Sequence, residues 1–436
     1  MVTWRNWGRT YEASPLSIEH PASEDEIATI VRAAASRGER VKVAGTGHSF
    51  TDIAVTDGRL LLLDRYDKLL QVDAATGRVT VQAGITIEAL GKALAGFGLA
   101  LENQGDIAYQ TVSGAISTAT HGTGETFKNL SSQVRALRIV TADGEAIECS
   151  AEQDLETFKA AQVSLGALGV LSTVTIQCVP AYNLRNLREP RPVDELLANF
   201  DQLCAENDHF EFYWFPHTDA AMAITTERTQ EAVPGKGRSG FGAYLNDVVM
   251  ENHAFGVVQR AARLNRGWIP PLARFTARTL SKHEIFDRSD RVFANPRFVR
   301  FAEMEYAVPR EHLQAAFTEV RAMIERKGLQ ISFPVEVRAT APDDIFLSTA
   351  SGRPTGYIAV HVYYRFEYEP YFREVEAIMN GFQGRPHWGK LHFQEAATLR
   401  TRYPDWDRFL AVRDRLDPAG VFRNAYLDRV LGPPAA

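Results

Sequence analysis

Polar and apolar positions in this chain follow two spacings, and each marks a kind of element. Behind Ser23 the apolar residues Ile27, Ile30, Val31 and Ala34 recur at helical spacing, with Glu26 three residues after the serine, which predicts a capped helix over 24–37. Short apolar runs at 40–44, 59–63, 69–73 and 78–83 predict strands, the last two joined by a turn at Ala75-Thr76-Gly77. A second helix is expected over 87–97, stopped by Gly98, and another strand over 172–177. Beyond Pro180 the pattern changes to longer, aromatic strands at 210–215, 300–308, 331–338 and 356–366. Between them 311–326 reads as a helix, with Leu313, Ala316, Phe317, Val320 and Ile324 on its apolar face. Strands mixed with helices, without a strand–helix–strand rhythm, predict an α+β fold with a largely antiparallel sheet backed by helices. The stretch 234–266 is Gly-rich and poorly periodic at first, and reads as a loop or lid.

Between these elements lie three small-residue loops. Val43-Ala-Gly-Thr-Gly-His-Ser-Phe50 follows a strand, and its glycines allow a turn that brings backbone N–H groups together. A concave row of such groups binds anions, phosphates above all. Val112 to Gly124 is rich in Gly, Ala, Ser and Thr and ends in Thr120-His-Gly-Thr-Gly124, repeating the chemistry of the first loop. A third piece, Leu165-Gly-Ala-Leu-Gly-Val-Leu171, precedes a strand. Each loop alone also fits an ordinary tight turn; together they point to a phosphate-bearing ligand.

Length and composition narrow the class. At 436 residues the chain is too long for one small core, so two domains are expected. An apolar content of 45% with 23% charged residues describes a soluble globular protein, and a net charge of −6 argues against nucleic acid as a partner. Cys149, Cys178 and Cys204 are far apart and lack metal-ligand spacing, which fits a reducing compartment without disulfides. No apolar run reaches the ~18 residues of a membrane helix, and the N-terminal residues lack a secretory core. A cytoplasmic protein without an integral membrane segment is expected.

Candidate chemistry sits on alternating strand positions. Glu336 and Arg338, at i and i+2, share one face, with Val335 and Val337 turned into a core. Read from the residues alone, the pair is either a solvent-facing ion pair or a site holding a hydroxylated substrate. Glu303 and Glu305 share one face of 300–308. Tyr357, Ala359, His361, Tyr363 and Arg365 share a face that is either a sugar-binding wall, with His361 and Tyr363 on the substrate side, or the wet side of the sheet. Near the end, Arg385-Pro-His-Trp-Gly-Lys-Leu-His-Phe393 crowds two histidines, a tryptophan and Lys390 around a turn. His387 and His392 are spaced for neither a helical nor a strand ligand pair, so no metal is expected.

In order, the segments 43–51, 102–124, 166–169, 333–338, 387–390 and 417–427 resemble the vanillyl-alcohol-oxidase-type flavoproteins, within them the sugar-1,4-lactone oxidoreductases and their alditol-oxidase relatives. The resemblance implies an FAD-binding domain over 1–178 made of two α+β subdomains. It also implies a substrate (cap) domain over 179–385 with a large, mainly antiparallel sheet flanked by helices. Residues 386–436 would carry His-Trp-Gly-Lys and return to the FAD domain. FAD would then be held by Ala44, Gly45, Thr46, Gly47, Ser49, Gly105, Ser113, Gly114, Ser117, Thr120, His121, Gly122, Gly124, Gly169, Val170 and His387, and bound covalently through His48. Glu336, Arg338 and Lys390 would be the catalytic residues, Arg338 and Lys390 stabilising charge and Glu336 holding substrate hydroxyls or acting as base. The activity implied is hydride transfer from a hydroxyl-bearing carbon of a sugar lactone or polyol to the flavin, with O2 or another acceptor completing the cycle. Alditol oxidases tend to carry Arg where Gly47 stands, which favours an aldono-1,4-lactone such as L-gulono-1,4-lactone. Gly105 would leave room for O2 beside the flavin and permit oxidase behaviour, with a dehydrogenase the alternative.

Overall fold

The computed structural model describes residues 2–233, 255–294 and 299–434. Of the loop or lid expected over 234–266, the part up to 254 lies outside the described residues, and Phe255–Leu264 is helical. Two sheets come from the first part of the chain. Three parallel strands, in the order Ser17–Glu19, Arg59–Leu62, Val41–Ala44, lie beside the helix Glu24–Ser36. Ser23 Oγ accepts the Glu26 N–H at 3.2 Å while the Glu26 carboxylate accepts the Ala22 N–H at 2.8 Å. Such a cap is worth about 1 kcal/mol. Five antiparallel strands follow, in the order Ala146–Ser150, Val134–Val140, Val170–Gln177, Arg78–Gln82, Leu69–Asp73.

Both sheets share one apolar core. It also takes in Trp388 and, from the C-terminal helices Trp406–Leu416 and Ala425–Leu431, Phe409, Tyr426 and Val430. The tail is pinned by polar contacts as well: Val41 N donates to Val421 O at 2.8 Å, and Asn424 Nδ2 reaches the carbonyls of Asp52, Ile53 and Val55 at 2.9–3.1 Å. The two C-terminal helices therefore pack on the first two sheets.

The third sheet has eight antiparallel strands in the order His283–Arg288, Asn183–Pro192, Ala220–Thr229, His209–Trp214, Val335–Thr340, Thr355–Tyr363, Phe301–Pro309, Arg385–Pro386. Its apolar face presents Phe212, Trp214, Met304, Tyr306, Val335, Val337 and Val360 to the helices Leu313–Arg326 and Glu369–Gly381. Each large apolar side chain buried there contributes ~1.5–3 kcal/mol. Strand alternation then forces Glu211, Tyr213, Glu303, Glu305, Glu336, Arg338, Tyr357, Ala359 and His361 onto the opposite face. That face is buried too: Glu336 and Arg338 are 5% and 7% exposed, so the reading of a solvent-facing pair fails.

Candidate active site

Two features meet in this molecule: a glycine- and hydroxyl-lined groove, and the charged face of the eight-stranded sheet. The groove is an open cleft running from Lys42 through Ser49, along Thr111–Thr118, to Ser164–Gly169. Ala44, Gly45, Thr46, Gly47, His48, Ser49, Ser113, Gly114, Ser117 and Gly169 all line it. Val170 instead turns its side chain into the core. Gly45 has no substitute, because a Cβ there would stand 2.4 Å from Thr111 Oγ1, which caps the helix Val112–Ser117 by accepting the Gly114 N–H. Gly47 adopts φ +75°, a conformation that favours glycine. The lining contains one lysine, many hydroxyls and no carboxylate. In a chain of net charge −6 that lining suits a ligand with a diphosphate, so the residues present fit FAD.

His48 lies at the groove with its ring between Trp7 (centroids 5.4 Å apart, 24° between planes) and Tyr109 (6.2 Å, 19°). Burial, with Lys390 nearby, lowers its pKa to about 4, so the imidazole is neutral at physiological pH.

On the sheet, Tyr213, Glu336, Ala359 and Glu305 form one row across four strands by direct register. Tyr213 donates its OH to Glu336 Oε1 at 2.6 Å. Arg338 pairs with Glu336 and with Asp106 Oδ2 (2.7 Å); its Nε lies 2.9 Å from Glu211 Oε2 without the alignment of a hydrogen bond. Lys390 pairs with Glu303, whose Oε1 is also 3.4 Å from His361 Nε2. Glu305 is 3.4 Å from His121 Nε2, and the His121 ring stacks on Tyr357 at 3.8 Å.

These contacts split the carboxyls electrostatically. Burial pushes Glu303 and Glu305 upward, yet Lys390 beside the first and His121 beside the second hold both below the usual range. Burial raises Glu336 despite Arg338, and raises Glu211 to about 8, with Asp106 and Glu336 adding like charge. Burial works against the Lys390 charge, but Glu303 and Glu305 raise its pKa overall. One sheet face thus holds firmly ionised acids, a fixed ammonium and carboxyls with raised proton affinity.

The segment 387–391 joins groove to sheet. His387 N donates to Glu305 O (3.0 Å) and Leu391 N to Glu303 O (2.8 Å), while Gly389 O accepts the Phe50 N–H at 2.7 Å. Trp388 anchors the turn, fully buried, with Nε1 donating to Leu347 O at 2.7 Å. A second bridge comes from the loops of the first part: Asp106 reaches Arg338, and Gly124 N donates to Ala339 O at 2.9 Å.

Several expectations need correcting. Thr120, His121, Gly122 and Gly124 are not among the residues that line this groove; His121 lies beside Glu305, Gly124 N donates to Ala339 O and His387 N to Glu305 O, so these three meet the sheet, while Thr111–Thr118 with Ser164–Gly169 complete the cradle. Gly105 does not open free space toward its missing side chain. A Cβ there would stand 2.9 Å from His121 O and 3.2 Å from Thr120 Cγ2, so packing requires the glycine. Tyr363 joins the apolar core against Tyr364 and Phe366, because the strand ends there and the chain turns back with Phe366 N donating to Tyr363 O. Among the described residues, His121–Glu305–His387 and Glu303–Glu336–His361 each bring ligand atoms within 4.8 Å of one another. His387 Nδ1 accepts the Gly389 N–H at 3.0 Å, so Nε2 must carry the ring proton and has no lone pair for a cation. In the other group the Lys390 ammonium already pairs with Glu303, where a bound cation would sit.

Asp106, Glu211 and Tyr213 have no part in the sequence reading, and Glu303 and Glu305 share a face there without a role. The signal for the last two was present, since two carboxylates in an otherwise apolar strand need buried partners.

Comparison with known proteins gives the chain its relatives. Residues 174–430 match the family D-arabinono-1,4-lactone oxidase, and residues 15–150 match an FAD binding domain. The chain is similar to L-gulono-1,4-lactone dehydrogenase of Mycobacterium tuberculosis, 48% identical over 430 residues and 99% of each chain. It is also similar to L-gulonolactone oxidase of Bos taurus, 36% identical over 448 residues and 98% of each. Among solved structures, a solvent-stable cholesterol oxidase shares the fold at a TM-score of 0.84 and 20% identity, covering 99% of this chain and 97% of that one. With over half its length matched by one family, behind an FAD-binding domain whose groove fits the cofactor, this chain belongs to the D-arabinono-1,4-lactone oxidase family.

Proposed function

We propose that the protein is an FAD-dependent oxidoreductase that oxidises an aldono-1,4-lactone, L-gulono-1,4-lactone or a close relative, at a hydroxyl-bearing carbon. The observation that carries this is the 387–391 segment, hydrogen-bonded on one side to Phe50 at the groove and on the other to the strand of Glu303 and Glu305. It sets a cation and a row of carboxyls beside the cofactor groove. Bound FAD supplies the hydride acceptor. Glu336, with its raised proton affinity and a Tyr213 hydrogen bond on Oε1, takes the substrate hydroxyl proton. Arg338, clamped by Asp106 and Glu336, orients the substrate oxygens, and Lys390 offers fixed positive charge where negative charge develops. His361, 3.4 Å from Glu303 Oε1, lines the same face on the substrate side. His48, neutral and held between two rings, is the residue we assign to covalent attachment of the flavin.

Anaerobic mixing of the yellow protein with L-gulono-1,4-lactone or with xylitol tests the reading. Bleaching by the lactone supports it. Bleaching by xylitol alone moves the substrate to open-chain alditols, and no bleaching by any lactone or polyol refutes it. The relatives' names divide between dehydrogenase and oxidase, and turnover with O2 against an artificial dye decides the acceptor.

A further inference from the structure

Glu336 is buried, and a base that takes a proton inside a protein must hand it on before the next substrate arrives. Its neighbours decide the route. Arg338 pairs with it but cannot carry a proton, because a guanidinium has donors and no lone pair to receive one. Tyr213 can, since a hydroxyl both accepts and donates.

The Tyr213 phenol oxygen stands between two carboxylates, 2.6 Å from Glu336 Oε1 and 3.3 Å from Asp106 Oδ2, with Arg338 Nη2 at 3.4 Å. A phenol has one proton, so it serves one carboxylate at a time, and at rest the shorter contact gives it to Glu336. Tyr213 and Glu336 are register partners on neighbouring strands, and Asp106 arrives on the loop ahead of the helix Val112–Ser117. Arg338 Nη2 holds Asp106 Oδ2 at 2.7 Å, so the far acceptor is fixed as well. The line also runs outward: the Glu336 side chain is 6% exposed and that of Asp106 is 21%.

We propose that Tyr213 relays the substrate proton from Glu336 to Asp106 and so to water. The inference rests on the assignment of Glu336 as the base. As the carbonyl forms, the substrate O–H bond breaks and its proton joins Glu336, while the hydride goes to bound FAD. The Glu336 carboxyl then turns about its last bond, a soft torsion, and donates its O–H to the Tyr213 oxygen. The phenol proton passes to Asp106 Oδ2, and Asp106 gives up a proton to water. The phenol ends with one proton, as it began, and one proton has left the site for each hydride transferred. Tyr213 acts through Glu336, so its loss should separate proton release from hydride transfer.

The test is anaerobic stopped-flow mixing of the FAD-loaded protein with L-gulono-1,4-lactone in weakly buffered solution. Paired mixes with and without phenol red time proton release and flavin bleaching separately. In the parent, one proton per flavin should appear together with the bleaching. In Tyr213→Phe release should trail bleaching by about a hundredfold, while bleaching itself slows at most about tenfold, the worth of one hydrogen bond. Asp106→Asn should show the same lag, although loss of its pairing with Arg338 also slows bleaching. A purely structural defect would slow both signals together. Release that keeps pace with bleaching in either variant overturns the relay and leaves His361, with a ring nitrogen within 4.8 Å of a Glu336 carboxylate oxygen, as the way out. A parent that bleaches without releasing its proton overturns it too. Glu336→Gln separates the two layers. Bleaching at the parent's rate in that variant refutes the base assignment itself, whereas slow bleaching there beside prompt release in Tyr213→Phe refutes the relay alone.

Discussion

Replacing Lys390 by methionine while leaving Glu303 in place separates the two things this lysine does. The Glu303 side chain is 6% exposed and that of Lys390 21%. Removing one partner of a buried pair costs ~3–5 kcal/mol, against ~0–1 for an exposed pair. The residual exposure of Lys390 puts the expected loss near the lower end, about 3 kcal/mol. The pH dependence has a defined sign. In the parent, Lys390 outweighs burial and depresses the Glu303 pKa, so this carboxyl contributes stability above pH ~4.5 that is lost as pH falls through its folded value. Without Lys390, burial wins and the carboxyl moves up, so the variant loses stability as pH rises above ~4.5. The gap between the two proteins should be wide at pH 7 and narrow toward pH 4. Adding Glu303→Gln removes the stranded charge and should recover most of the stability, but not turnover, which stays down by ~10²–10³ for want of the cation. Denaturant unfolding followed by tryptophan fluorescence, run across pH on single and double variants beside steady-state kinetics, reads all of this. A single variant as stable as the parent at pH 7, or a double variant no more stable than the single, refutes the electrostatic reasoning. A double variant with restored turnover refutes the catalytic role of Lys390.

Acid precipitation should leave the flavin in the protein pellet, and His48→Ala should release it to the supernatant. Because His48 titrates near 4, attachment of added FAD to apoprotein should proceed at a steady rate from pH 8 to about 5 and fall below that. Gly45→Val would drive a Cβ to 2.4 Å from Thr111 Oγ1 and break the Val112–Ser117 cap, so purified protein should lose most of its 450 nm absorbance while remaining folded by circular dichroism. Glu211, raised to about 8, binds its proton more tightly folded than unfolded; it favours the fold below pH ~4.5, and that contribution is lost as pH rises to about 8. Glu211→Gln should therefore gain stability relative to the parent progressively over that window, read by the same unfolding experiment. Even with Glu211, raised to about 8, carrying its proton, four further acids, Asp106, Glu303, Glu305 and Glu336, face two fixed cations, Arg338 and Lys390, so the ring-opened aldonate anion should neither turn over nor inhibit where the neutral lactone does. Competitive inhibition by the aldonate would contradict that charge balance.

What the sequence revealed here divides along the range of the forces involved. The cap at Ser23, the strand alternation at 301–309 and the positive-φ turn at Gly47 depend on neighbours within a few residues, and all are legible. Alternation also put Glu336 with Arg338, and Glu303 with Glu305, on one face each. It could not say that this face is dry, because an antiparallel sheet ordinarily leaves one side to water. The face is covered by pieces far away in the chain: Asp106, 232 residues before Arg338; Gly124 on the carbonyl of Ala339; and the 387–391 turn on the carbonyls of Glu303 and Glu305. Burial of that kind is decided by assembly, which is why the residues alone favour reading the Glu336–Arg338 pair as an exposed ion pair. Tyr363 is the last residue of its strand, paired with Phe301, and its ring packs on Tyr364 and Phe366 in the turn that follows, a contact that alternation does not show. A buried charge in a strand is therefore the informative local sign. Glu303 and Glu305 sit in Phe-Ala-Glu-Met-Glu-Tyr-Ala-Val, and two carboxylates in so apolar a strand require polar partners from elsewhere, here Lys390 and His121.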